Sequence, residues 1–243
     1  MELARAADRT RHHVRRPVAR TPYLWDSVML LRASKRATLA RRDTGIVIEG
    51  FLRSGNTFSV AAFTLANGPD IHVGRHLHSP AHVLRAVRLG LPTVVLIRQP
   101  RQAVLSYLIR RPTLTPHDAV LEYLDFYRTA WAVRGHFVTA PFDEVVSDFG
   151  SVLDGVNARF GTAFRRYDPT PENEAATFTA VEEMNRRECR GEVVETHVAR
   201  PSEFRSRRRD ELKGLLDEPR TARRLRQAEL LYEAYLGLAD RTA

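Results

Sequence analysis

Cysteine is nearly absent: Cys189 is the only one among 243 residues. A single thiol excludes a disulfide framework and a multi-cysteine zinc site. Lysine is almost as scarce, with Lys35 and Lys213 the only two among 38 basic residues. No apolar run reaches the ~20 residues that a membrane-spanning helix needs, which excludes an integral helical membrane protein. The opening stretch, MELARAADRTRHHVRR, lacks the apolar centre of a secretory signal, as expected of a cytoplasmic chain. Internal repeats, heptads and low-complexity tracts are missing too, so solenoids and coiled coils are set aside. What is present is a core-forming composition, 43% hydrophobic and 28% charged. That suits one sizeable α/β domain and is short for two.

The net charge of +9 is unevenly placed. Residues 1–42 carry 11 cations against Glu2, Asp8 and Asp26, a net of +8, while residues 43–243 are close to neutral. The sequence therefore divides into a basic N-terminal arm over 1–42 and a single domain over 43–243. Three readings apply to the arm. The first is a solvated tail leading into a surface helix. The second is peripheral contact with anionic lipid, because Thr21-Pro22 starts a helical pattern that runs through Leu24, Trp25, Val28 and Leu31. The third, nucleic acid, has least support, since no reading motif or aromatic platform accompanies the charge.

From Thr44 onward strands and helices alternate. Ile46-Val47-Ile48 and Thr93 to Ile97 are β-branched apolar runs of the kind buried in parallel sheets. Ile71-His72-Val73 and His136 to Thr139 are weaker strand candidates. Between them the sequence predicts a helix from Thr57, stopped by Asn67-Gly68-Pro69, and a helix after Ser79-Pro80. Further helices are expected after Pro100 and Pro116, over 152–160, and over 222–238. The domain is thus expected to be an α/β three-layer sandwich, P-loop-NTPase-like, with a central, mostly parallel sheet flanked by helices. In such sheets ligands sit at the carboxyl ends of the strands, so the residues that follow each strand are the ones to examine.

Gly50 to Thr57 follows the first strand and opens a helix. It fits the nucleotide-loop frame G-x-x-x-x-G-K-S/T, with Asn56 in the lysine position. Backbone N–H groups at the helix start favour an anion. Arg53 adds a cation, and Ser54 and Thr57 add hydroxyl donors. After the second strand comes His76-Leu77-His78-Ser79-Pro80, where either histidine could serve as a general base. After the third come Arg98 and, about two helical turns further on, Ser106. A guanidinium and a hydroxyl so placed can reach one phosphate.

These three segments in this order resemble the sulfotransferases that use 3′-phosphoadenosine 5′-phosphosulfate (PAPS). Arg53-Ser54-Gly55-Asn56-Thr57-Phe58 is similar to that family's 5′-phosphosulfate loop, K/R-S-G-T/N-T-W. Val95 to Arg101, with Ser106, is similar to its 3′-phosphate motif. His76-Leu77-His78-Ser79-Pro80 aligns with its K-T-H-x-P segment. The segment His197-Val198-Ala199-Arg200-Pro201 is closest to bacterial members. The resemblance covers residues 45–165. Gln99 stands in place of the usual acidic residue, Phe58 in place of tryptophan, and His76 in place of lysine.

The resemblance implies sulfuryl transfer from PAPS, with the 3′,5′-diphosphate (PAP) as product, to a hydroxyl or amine of a small-molecule, carbohydrate or lipid acceptor. It implies His78 as the base, with His76 the alternative. Arg53, Ser54, Gly55, Asn56, Thr57 and Phe58 would hold the phosphosulfate and adenine, and Arg98 and Ser106 the 3′-phosphate. Arg205 and Arg207, in an Arg-Ser-Arg-Arg-Arg run, would substitute for the family's C-terminal nucleotide loop. Neither a metal nor a nucleic-acid partner is implied. Two rival readings remain: a P-loop kinase or NTPase, and a relative that binds nucleotide without turnover.

Overall fold

The computed structural model describes residues 32–189 and 202–239, together with residues 25, 28, 29, 191, 192 and 194–197. Most of the basic arm, including Thr21-Pro22, Leu24 and Leu31, lies outside the described residues, as do residues 198–201 of the C-terminal segment.

Four parallel strands form the sheet in the order β2-β1-β3-β4: β1 (Ile46–Gly50), β2 (Val73–Arg75), β3 (Thr93–Ile97) and β4 (Val138–Pro141). β1 and β3 are wholly buried, which explains their continuous apolar pattern. Pro141 is tolerated because β4 is an edge strand. Two of the expected strands begin later than the sequence suggests. His72 precedes β2: its carbonyl accepts from the Gly45 N–H at 2.9 Å, and its ring bonds Thr44 Oγ1 at 2.8 Å and the Ala37 carbonyl at 3.1 Å. His136 ends a short 3₁₀ turn, Arg134–His136, ahead of β4.

Helices cover both faces. On one lie α1 (Asn56–Asn67), α6 (Phe149–Phe160) and α7 (Pro171–Glu188). Phe63, Val152, Leu153 and Tyr167 there meet Ile46, Ile48, Val94 and Leu96. On the other lie α2 (Pro80–Arg88), α3 (Pro100–Arg110), α4 (Pro116–Trp131) and α9 (Pro219–Ala239). Their Val104, Tyr123, Tyr127, Leu225 and Tyr235 meet Val95 and Ile97. α5 (Phe142–Ser147) follows β4, and α8 (Glu203–Leu212) packs beside α3. Several helix starts follow simple chemistry. α4 and α7 begin at Pro with threonine caps, whose side chains accept from Asp118 and Asn173 N–H groups. No described helix is long and apolar enough to cross a membrane.

The boundary expected at residue 42 falls within packed structure. Trp25 and Leu39 are buried against Leu77 and Ala81, and the Ala40 N–H donates to His82 Nε2 at 2.8 Å. The described part of the arm is therefore built into the wall of the domain.

β1 sits between β2 and β3, and the chain passes from β1 to β2 on one side and returns to β3 on the other. The switch point lies between β1 and β3, and their carboxyl ends open the crevice where α/β sheets bind ligands.

Candidate active site

The loop after β1 is shaped by glycine. A Cβ at Gly50 would stand 2.6 Å from the Leu96 carbonyl oxygen, so β1 and β3 approach this closely only with glycine there. Gly55 has φ +96° and starts α1 from a left-handed conformation. Three non-glycine residues share positive φ among the described residues: Arg53 at 71°, His76 at 56° and His78 at 47°. All three are residues that the sequence singles out. Such conformations are unfavourable for side chains with a Cβ and persist where the surroundings enforce them.

Arg53 reaches across the switch point to α3. Its Nε donates to Ser106 Oγ at 3.0 Å and its Nη1 to the His197 carbonyl at 2.9 Å. From the opposite side, Arg205 at the start of α8 donates from Nη2 to the same Ser106 Oγ at 2.8 Å. Its Nη1 meets the carbonyls of Glu195 and Thr196 at 3.2 and 3.1 Å. Arg205 is only 4% exposed. Arg110, near the end of α3, donates to the His197 carbonyl at 3.2 Å and pairs with Glu188.

Arg98 closes the group. Its Nη1 donates to the Arg53 carbonyl at 3.1 Å, and its guanidinium lies 3.8 Å over the Phe142 ring. Its Nε is buried and has no hydrogen-bond partner among the described residues. Tyr123 fixes this corner by donating to the Arg98 carbonyl at 2.8 Å.

Crowded guanidiniums raise one another's energy. Burial first, then Arg205, Arg110 and Arg98, push the Arg53 guanidinium well below its ordinary range. Arg98 is pushed down to about 10 by burial and by Arg209, against partial compensation from Asp143. Arg205 shifts down for the same reasons, burial ahead of Arg209. A multiply charged anion placed among such guanidiniums would offset their mutual repulsion.

The histidine segment stands at the end of β2, beside Gly50. His78 Nδ1 lies 3.1 Å from the Gly50 carbonyl. With that nitrogen donating, the basic lone pair belongs to Nε2. The His76 ring is 5.9 Å from that of His78. Burial, followed by the His78, Arg75 and Lys35 charges and opposed by Glu49, pushes His76 down to about 3. It is therefore neutral near pH 7.

Other sequence-selected residues have quieter surroundings. Ser54 is buried, with its Oγ 3.3 Å from the Tyr127 hydroxyl, which donates to the Leu96 carbonyl at 2.7 Å. Asn56 donates from Nδ2 to the Phe51 carbonyl at 3.0 Å and so ties the loop to itself. Thr57 is partly buried in the first turn of α1. Two expected positions are not brought to the cluster. Phe58 is buried in the core between Tyr167 and Phe178, at ring distances of 6.3 and 5.8 Å, so its faces are covered. Arg207 is exposed and pairs with Glu203 along α8. Gln99, in the usual acid position, caps α3 by accepting from the Gln102 N–H at 2.9 Å.

Sequence reasoning passed over Glu49, His82 and Arg110. Glu49 and His82 are both 0% exposed and bonded at 2.9 Å. The available signal was an acid inside an otherwise apolar strand.

No protein-family model matches the chain. No curated protein matches it either. Among solved structures it matches mouse sulfotransferase SULT7A1 complexed with PAP, over 80% of this chain and 92% of that one. The identity is 15% and the TM-score 0.42.

Proposed function

We propose that the protein is a PAPS-dependent sulfotransferase. The observation that carries the reading is the meeting of Arg53 and Arg205 on Ser106 Oγ, beside Arg98, at the carboxyl edge of β1 and β3. The residues suit a nucleotide bearing phosphates at both ends. The Arg98 Nε, which has no partner among the described residues, and the Ser106 hydroxyl are donors for the 3′-phosphate. Arg53 and the loop N–H groups at the start of α1 are donors for the 5′-phosphosulfate.

Sulfuryl transfer passes through a loose, in-line arrangement like phosphoryl transfer, so positioning and charge supply most of the acceleration. The acceptor O–H or N–H gives its proton to His78 Nε2, and the acceptor atom forms the new bond to sulfur. The bond from sulfur to the bridging oxygen breaks, and its electron pair leaves on the 5′-phosphate of PAP. Because His76 is neutral near pH 7, the charge that meets this oxygen comes from Arg53. A base so placed contributes ~10²–10⁴-fold.

The acceptor is a hydroxyl or amine compound, with small molecules, sugars and lipids all compatible. The geometry gives the kinase and NTPase reading less support. Asn56 fills the lysine position with an amide turned back onto Phe51, which leaves no cation at that place.

The test is to incubate the protein with radiolabelled PAPS and an acceptor panel, and to run His78→Ala beside it. Labelled product and PAP are expected in equal amounts from wild type. The variant is expected to lose turnover and still bind PAP. Retained turnover in the variant removes His78 as the base, and loss of PAP binding with turnover kept contradicts the assignment.

A further inference from the structure

We infer that Glu49 is a positioning residue for the His78 base, acting through the backbone of residues 77 and 78 and braced by His82; the inference rests on the reading of His78 as base. Glu49 is the penultimate residue of apolar β1 and has no exposure to water. A carboxylate there is tolerated only when its oxygens are fully used. Its Oε1 accepts from the Leu77 N–H at 2.8 Å and from His82 Nδ1 at 2.9 Å, and its Oε2 accepts from the His78 N–H at 3.1 Å. One side chain thus clamps two successive amides of the segment that carries the base.

That clamp accounts for the backbone. His76 and His78 flank Leu77 and both have positive φ. Two amides fastened to one buried carboxylate supply the constraint that such a conformation needs. With the backbone held, His78 Nδ1 meets the carbonyl of Gly50, the residue next to Glu49. The end of β1 therefore fixes both the chain and the ring of the base.

His82 completes the unit from α2. Its Nε2 accepts from the Ala40 N–H at 2.8 Å, so its proton sits on Nδ1 and points at Glu49. The pair is a neutral imidazole donating to a carboxylate that keeps its charge. Trp25 lies 5.5 Å from the His82 ring and packs with Leu39 and Leu77. The clamp is thus closed from behind by the N-terminal segment.

Among the described residues, His78 faces Glu49 from β1 and His76 on its own segment, with His82 behind Glu49 and with Arg75 and Lys35 acting on His76. Of these, Glu49 favours a protonated His78. Removing its charge lowers the pKa of His78, so the basic form persists to lower pH.

The wild-type chain is examined first, by NMR without nucleotide. Slow exchange of the Leu77 and His78 amide protons and a proton on His78 Nδ1 are expected. In Glu49→Gln the amide oxygen can take the two donors of Oε1, which turns its NH₂ against the His78 N–H. The pKa of His78 should fall, and the acid limb of kcat/KM should move down with it. Turnover should drop ~10–100-fold, the range for partners that orient a functional group. PAP affinity should stay within about twofold, because the arginine cluster is untouched. His82→Gln, which retains a donor for Glu49 and an acceptor for Ala40, should lose less.

A folded Glu49→Gln protein with unchanged His78 titration and turnover overturns the inference. So do rapidly exchanging Leu77 and His78 amides in wild type, which decides the matter even if that variant does not fold. The ring and amide measurements need no nucleotide. Failure of wild type to use PAPS would therefore contradict the enzyme reading, and failure of these measurements contradicts the role of Glu49.

Discussion

Ser106→Ala probes the arginine cluster at its centre. Ser106 Oγ accepts from Arg53 at 3.0 Å and from Arg205 at 2.8 Å. An oxygen that accepts twice must send its own hydrogen elsewhere, and a bound 3′-phosphate is the partner that the proposed function assigns to it. The substitution removes this donor and strips two guanidinium N–H groups of their acceptor. A charge-assisted bond to phosphate contributes ~1.5–3 kcal/mol, a factor of roughly 10–150 in affinity. Part of that returns, because the released N–H groups can turn to the phosphate, so a loss of ~10–30-fold is expected. Isothermal titration with PAP and with 5′-AMP isolates the effect. PAP should weaken by that amount, while AMP, which lacks the 3′-phosphate, should change by less than about threefold. Equal weakening of both nucleotides, or none of PAP, refutes the placement of the 3′-phosphate at Ser106.

Three further perturbations bear on the account. Arg98→Ala should raise the dissociation constant for PAP by the equivalent of ~2–3 kcal/mol, and an unchanged value removes Arg98 from the site. His76 titrates near 3 in the fold and near its ordinary ~6.5 when unfolded, so between these values the unfolded chain binds more protons. Stability should therefore fall as pH drops from ~6.5 toward 3, by up to ~1.4 kcal/mol per unit. His76→Asn, which tolerates positive φ, should flatten that slope in urea titrations, and parallel curves would contradict the assignment. Trp25→Ala should cost ~3–5 kcal/mol as a buried aromatic truncation, read as a drop in Tm, and a neutral result would show that residue 25 does not pack on Leu77 and His82.

The sheet was legible because its two central strands are β-branched runs bounded by glycine and proline, buried on both faces. The outer strands begin later than expected, since runs of only three and four residues do not fix from pattern alone where pairing starts. The residues after the strands were legible as candidates for chemistry, and Arg53, Ser106 and Arg205 do meet. What escaped was information from distant parts of the chain. Glu49 reads as one polar residue in a strand, and its partners are mainly backbone amides, which have no letter in a sequence. Phe58 stands where an open aromatic face is expected, yet Tyr167 and Phe178 arrive from elsewhere to cover it. Arg205 and Arg207 are adjacent in any basic run. On a helix, two residues turn the side chain by about 200°, which sends one to Ser106 and the other to solvent.

The charge that distinguishes the composition divides in the same way. Most of the net excess lies in residues 1–42, whereas the candidate site uses a few arginines from a nearly neutral body. Their effect comes from burial and mutual proximity.

The proposed function requires this cluster to select a nucleotide with phosphate at both the 3′ and 5′ positions. Titration of the wild-type chain with PAP and with ATP, under one salt condition, tests it most directly. PAP is expected to bind at least ~10-fold tighter than ATP, the effect of one charge-assisted contact to the 3′-phosphate. Equal affinity for the two, or preference for ATP, would contradict it.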